Sequence, residues 1–214
     1  MDSDTWLADT RRSYDTVADS YHEVVRDMLA QTPYERAALD LFAAQVRKLG
    51  GGPVVEVGCG PGRIAGYLHG SGIEVSGLDL SPAMIEIAHR EHPDLRFEVG
   101  SMTDLDLPDA SLAGVVAWYS LIHVPDAEIP SVLARFRQAL RPSAPLLVAF
   151  HAGNETTLKT EGYGGHPMHV HVHRRLPEQV AESLEQAGFT VEATMRLRSA
   201  ESRDGAIVFA RRAD

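Results

Sequence analysis

Residues 53–70 read PVVEVGCGPGRIAGYLHG. An apolar run ends at Val57, three glycines alternate at Gly58, Gly60 and Gly62, and a helical pattern starts at about Arg63 and runs to His69. Glycines at this spacing let the chain turn tightly and bring backbone N–H groups close to a ligand at a helix N-terminus. Farther along, a second strand-like run, Ile73 to Leu78, ends in Gly77-Leu78-Asp79-Leu80. An acid about 20 residues after the glycine turn is placed to accept hydrogen bonds from a ribose diol. The dinucleotide fingerprint G-x-G-x-x-G would put its third glycine at position 63, which is Arg63. The spacing here is G-x-G-x-G, with Glu56 two residues before the first glycine.

Outward from this turn the chain alternates strand and helix patterns, as α/β folds with a largely parallel sheet do. A helix is expected after Thr32-Pro33-Tyr34-Glu35, which has capping-box spacing and proline at the first helical position. Ser81 and Pro82 open another, to about Glu91. Strands are expected at Leu95–Val99, Leu112–Tyr119 and Leu146–Phe150, with helices at Ala127–Leu140 and Pro177–Ala187, the latter ended by Gly188. Two last strands, near Val191–Arg198 and Ala206–Arg211, are close enough to pair as a hairpin. The expectation is seven strands in one domain spanning residues 1–214. Residues 1–50 form a helical lid region, and 151–175, too long for an idle loop, form an insertion after the fifth strand.

The 214 residues are 44% hydrophobic and 23% charged, which is globular composition. A net charge of −10 repels phosphate backbones and disfavours a nucleic-acid partner. One cysteine, Cys59, excludes an intrachain disulfide framework. The acidic, polar N-terminus lacks a secretory h-region, and no apolar run approaches bilayer length. The expectation is a cytoplasmic protein without membrane association; its oligomeric state stays open.

The glycine turn with Glu56 resembles motif I of the class I S-adenosylmethionine-dependent methyltransferases, small-molecule type. The resemblance covers roughly residues 14 to 150. Tyr14-Asp15 with Ala18 and Tyr21 is similar to the family's Y-D-x-x-A-x-x-Y segment, Leu107-Pro108 to its lead-in to the fourth strand, and Trp118-Tyr119-Ser120-Leu121-Ile122-His123-Val124 to its post-strand loop. The family implies a Rossmann-like, seven-stranded, mostly parallel sheet with a C-terminal antiparallel hairpin and helices on both faces. It also implies S-adenosylmethionine as cofactor, with S-adenosylhomocysteine as product. By that resemblance Tyr14 and Tyr21 cover the methionine end, and Glu56, Gly58, Cys59 and Gly60 surround the amino-acid moiety. Asp79 and Leu80 meet the ribose, Ser101 and Met102 the adenine, and Tyr119 completes the set. Two departures stand out: Ala113-Gly114 replaces the F-D opening of the fourth strand, and Arg141-Pro142-Ser143-Ala144 replaces an R-P-G-G turn.

An acceptor of high pKa would need a general base, and His123 is the candidate. The alternative for His123 is a partly buried histidine bridging two loops. Trp118, Tyr119 and Tyr163 suggest an aromatic or cationic acceptor. His151, His166, His169, His171 and His173 crowd one segment, and in an extended strand the last three share a face. A lid strand lining the acceptor pocket, with His151, Tyr163, His169 and His171 in its wall, is the reading carried forward. A solvated strand face and a metal site are the alternatives, and no metal is assigned. For the whole chain, the competing functions are a cofactor-binding regulatory module without catalysis and a nicotinamide-dependent oxidoreductase.

Overall fold

A computed structural model describes residues 3–198 and 204–214. Three helices come first: α1 (Ser3–Val25), α2 (Met28–Gln31) and α3 (Pro33–Lys48). Then β1 (Val54–Val57), α4 (Arg63–Gly70), β2 (Val75–Asp79), α5 (Pro82–Glu91), β3 (Arg96–Val99), β4 (Gly114–Trp118), α6 (Ile129–Ala139) and β5 (Pro145–His151) alternate. β6 (Thr156–Gly162), β7 (His166–His173), α7 (Pro177–Gln186), β8 (Phe189–Leu197) and β9 (Gly205–Arg212) complete the chain.

The main sheet has seven strands in the order β3-β2-β1-β4-β5-β9-β8. The pairings from β3 to β5 are parallel, and β9 runs antiparallel between β5 and β8. The central strands are apolar on both faces because helices cover both. Val55, Val57, Val115 and Val148 pack with Leu133 and Phe136 of α6 and Leu184 of α7. Val54, Val116, Leu147 and Ala149 pack on the opposite side with Leu39 and Phe42 of α3 and Ile64 and Leu68 of α4. The α/β class, the mostly parallel sheet and the terminal hairpin therefore match the expectation.

The chain departs from it at two places. The segment 151–175 contains two more strands, β6 and β7, which pair antiparallel as a sheet of their own. They escape the main sheet because α1 covers one face of β7: Val17 of α1 packs with Met168 and Val170. Second, the Thr32 capping box does not form. α2 ends directly before it, so the Thr32 hydroxyl donates back to the Met28 carbonyl at 3.2 Å, and Glu35 is engaged by Tyr119 instead. Within the segment expected to be helical, α1 also packs Ala18 against Met84 and Ile87 of α5. Its Asp15 accepts from the Ser81 hydroxyl at 2.6 Å, tying α1 to the start of α5.

Both sequence departures from the family have a packing account. A Cβ at Gly114 would lie 2.8 Å from Phe42 Cζ, so α3 approaches β4 too closely for a side chain there. Ser143 takes the left-handed conformation (φ +63°) that glycine would hold without strain. Replacing Ser143 with Gly should raise unfolding stability by about 0.5–1 kcal/mol, the usual relief at such a position. Urea denaturation checks this, and an unchanged or lower midpoint would refute it.

Candidate active site

Strand order reverses at β1, which has β2 on one side and β4 on the other. In open α/β sheets this is where a crevice opens outside the carboxyl ends of the strands. Here the crevice is a cavity with about 880 Å³ of atom-free space, mouth included, roofed by α1. Its floor is the glycine turn. Gly58, Gly60 and Gly62 all have positive φ (70°, 53° and 79°). At Gly58 the need is also steric, since a Cβ would fall 2.3 Å from the Cβ of Ser120. The turn is held from β2: Gly58 N donates to the Leu78 carbonyl at 2.7 Å and Gly60 N to Asp79 Oδ2 at 2.7 Å. Asp79 Oδ1 accepts from Ser81 N at 2.9 Å. Burial raises the Asp79 pKa, and these two backbone donors oppose the rise.

Glu56 is buried at the end of β1, where its Oε2 accepts from Ala65 N at 2.8 Å. Burial pushes its pKa up to about 8, with Arg63 nearby pulling the other way. Around the cavity several buried donors have no partner among the described residues: Trp6 Nε1, Arg63 Nη1, Trp118 Nε1 and Ser120 Oγ. Buried polar groups are ordinarily satisfied, so a group of them lining one cavity points to a polar ligand.

At the far wall stands His123, in a 3-10 turn (Leu121–His123) after β4. Its Nδ1 lies 2.8 Å from the His171 carbonyl, and its Nε2 lies 2.7 Å from the Tyr14 hydroxyl. A carbonyl only accepts, so Nδ1 carries the hydrogen and Nε2 accepts from Tyr14. Burial lowers the His123 pKa to about 4, so the ring is neutral at pH 7. Tyr14 is pushed well above its ordinary value, first by burial and then by Tyr163, Tyr21 and Asp79. Tyr119 has a left-handed backbone (φ +52°), and its hydroxyl donates to Glu35 Oε1 at 3.0 Å.

The turn bearing His123 is anchored by Arg175, buried just beyond β7. Its Nε donates to Asp126 Oδ1 at 2.8 Å, Nη1 to the Leu121 carbonyl at 2.8 Å, and Nη2 to the Val124 carbonyl.

Tyr14, Tyr21, Glu56, Gly58, Cys59, Gly60, Asp79, Leu80, Ser101, Met102, Trp118, Tyr119 and His123 all line this one cavity. His151, Tyr163, His169 and His171 do not. His151 sits behind Tyr119, ring centroids 4.9 Å apart. Tyr163 backs Tyr21 edge-on at 4.8 Å, with Lys159 Nζ 3.8 Å above its ring. His169, His171 and His173 do share a face, with successive rings 6.4 and 6.3 Å apart. It is not the cavity face: the alternate residues Met168, Val170 and Val172 turn inward. These histidines reach the site through backbone, His169 N donating to Ser13 Oγ at 2.8 Å and the His171 carbonyl accepting from His123. Among the described residues no group of three His, Cys, Asp or Glu could hold a metal ion, and no helix is long and apolar enough to cross a membrane.

Sequence reasoning missed Trp6, Thr10 and Arg63 in the lining, and Arg175 behind it. A signal for the α1 residues existed: Trp6, Thr10, Tyr14, Val17 and Tyr21 recur every three or four positions, one helical face.

Comparison with known proteins gives a consistent picture. A family model described as a methyltransferase domain matches residues 54–143. A protein of Mycolicibacterium smegmatis, named as a probable S-adenosylmethionine-dependent methyltransferase, is 32% identical over 162 residues, 72% of this chain and 58% of that one. The chain spans about half the length of the curated relatives it matches, from 37% to 66% for the first four. Among solved structures, the DhpI complex with S-adenosylhomocysteine superimposes with a TM-score of 0.75 at 22% identity, covering 99% of this chain and 98% of that one. The 1,6-didemethyltoxoflavin-N1-methyltransferase of Burkholderia thailandensis, bound to 1,6-didemethyltoxoflavin and S-adenosylhomocysteine, gives 0.65 at 22% identity over 92% and 91%. At these identities the structural likeness speaks for the fold.

Proposed function

The chain belongs to the class I S-adenosylmethionine-dependent methyltransferase family, and from that premise we propose that it transfers a methyl group from S-adenosylmethionine to a small-molecule acceptor. The observation that carries this reading is the pairing of Glu56 with the unpartnered Arg63 Nη1 in one cavity beside the glycine turn. A buried carboxyl and a buried guanidinium N–H together suit a zwitterion, the ammonium and carboxylate of an amino acid. A dinucleotide would instead bring a pyrophosphate to this turn, against the carboxyl of Glu56.

When bound, the cofactor supplies an electrophilic methyl group on a sulfonium. The protein's own part is alignment and exclusion of water. Asp79 takes the ribose diol on the lone pairs that its two backbone donors leave over, and Ser101 and Met102 flank the adenine. Glu56 and Arg63 take the amino-acid end, with Tyr14 and Tyr21 of α1 closing over it. A small acceptor is supported by the enclosure of the cavity beneath α1 and by the ligand of the B. thailandensis neighbour.

The experiment is methyl transfer from radiolabelled S-adenosylmethionine into a fractionated small-metabolite extract, with calorimetry of S-adenosylhomocysteine alongside. Label in an organic-soluble product is expected. Binding without label would favour the regulatory module, and absence of both would refute the reading.

A further inference from the structure

The hairpin β6–β7 grips the Tyr14–His123 pair at two points. Met168 and Val170 of β7 pack with Tyr14, and the His171 carbonyl of β7 accepts from His123 Nδ1. The result is a directed chain: Tyr14 O–H to Nε2, and Nδ1–H to a fixed backbone carbonyl. The carbonyl has no proton to give, so it fixes the tautomer. The only basic lone pair of His123 is therefore spent on Tyr14, whose oxygen keeps lone pairs of its own, and both residues line the cavity.

Resting on the proposed methyl transfer, we propose that Tyr14 is the catalytic residue that removes the acceptor's proton and that His123 is the positioning residue that receives Tyr14's own proton. The acceptor is then a neutral protic nucleophile, a hydroxyl or ring N–H, rather than a tertiary amine, thioether or carboxylate. As the acceptor atom gains the methyl group, its bond to hydrogen breaks and that proton goes to Tyr14 Oη. In the same movement the original Tyr14 proton passes to His123 Nε2, and the imidazolium so formed keeps its Nδ1–H on the His171 carbonyl. Solvent later takes the proton, because burial makes this imidazolium a ready acid. An acceptor without a proton would have no use for the chain, and its site would not need a hydroxyl backed by an imidazole.

A purely structural role is the competing account, in which the same bonds merely pin the hairpin and α1 together. Two substitutions separate them. In His123→Asn the amide N–H stands near the place of Nδ1–H and keeps the bond to β7, while the acceptor at the place of Nε2 is lost. Tyr14→Phe keeps the ring and removes the hydroxyl. The proposal expects each to lower label transfer at saturating S-adenosylmethionine by about 100-fold or more, whereas a merely structural role would raise the KM for S-adenosylmethionine and spare kcat. It also expects the residual rate to lose its dependence on the acid limb of the pH profile. The titratable and charged groups facing His123 are Tyr14 from α1, His151 from β5, Lys159 from β6 and His173 from β7, so the limb is assigned to His123 by its own spectrum. Nitrogen-15 NMR of the histidine rings in the full chain, with S-adenosylhomocysteine bound, reads the tautomer without any turnover. The expected spectrum has a protonated Nδ1 and a bare Nε2. A ring protonated at Nε2, or Tyr14→Phe or His123→Asn working near the wild-type rate, would overturn the proposal while leaving the methyltransferase reading intact. Failure of the wild type to transfer label to any fraction would sink that reading, and the proposal with it.

Discussion

Asp79→Ala is expected to weaken S-adenosylhomocysteine binding by about 100-fold or more, the largest effect on ligand affinity of any single change at this site. The side chain has two duties. Its oxygens accept from Gly60 N and Ser81 N, so they fix the glycine turn against the start of α5. In the proposed complex they also meet the ribose. Hydrogen bonds to a charged group contribute about 1.5–3 kcal/mol each, and removing the carboxylate leaves both backbone donors without their partner as well. Asp79→Asn keeps the shape and one acceptor oxygen and should fall between. The raised pKa gives a sign for pH: acidification protonates Asp79 before an ordinary aspartate, so wild-type affinity should weaken toward low pH sooner than a surface carboxylate would allow. Titration calorimetry measures both effects. An alanine variant binding within about threefold of wild type would mean that Asp79 holds the turn but not the ligand.

Arg175→Ala is expected to cost about 1–3 kcal/mol of folding stability. The arithmetic rests mainly on the carbonyl of buried Val124, which loses its donor, while the Leu121 carbonyl loses one of two and keeps Val124 N at 3.1 Å. The pairing with Asp126 adds little, since that carboxylate is 81% exposed and screened by water. Arg175→Lys can reach one carbonyl but not both and should recover part of the loss. Urea unfolding gives the number, and a change below about 1 kcal/mol would show that water satisfies those carbonyls. Activity should fall further than stability alone predicts, because the anchored turn carries His123.

The parts of the molecule that sequence disclosed are those decided by neighbours a few residues away. The glycine turn is legible because its geometry depends on glycines at alternate positions, and the start of α5 because Ser81 caps Met84 three residues on. The strands of the parallel sheet are legible because burial on both faces leaves an apolar run. What stayed hidden depends on partners far along the chain. Alternation correctly groups His169, His171 and His173 on one face of β7, yet only the docking of Val17 decides that the other face turns inward. Glu35 stands at capping-box spacing from Thr32 but serves Tyr119, 84 positions away. Arg175 carries no local pattern at all, since its meaning lies in the carbonyls of Leu121 and Val124.

The roof of the cavity, α1, is held in place by a strand made much later in synthesis. Ser13 of α1 bonds His169 of β7 across 156 positions. A ribosome adding about 5–20 residues each second needs roughly 8 to 30 s to cover that distance. For that interval α1 has emerged with Val17 and its tyrosines turned toward a partner not yet translated. A chain released before β7 would keep the glycine turn and the parallel strands yet hold α1 over them only through its contacts with α5, Asp15 on Ser81 and Ala18 on Met84 and Ile87. Nascent chains stalled short of residue 168 are therefore the state in which this protein shows its stickiest surface and needs shelter most.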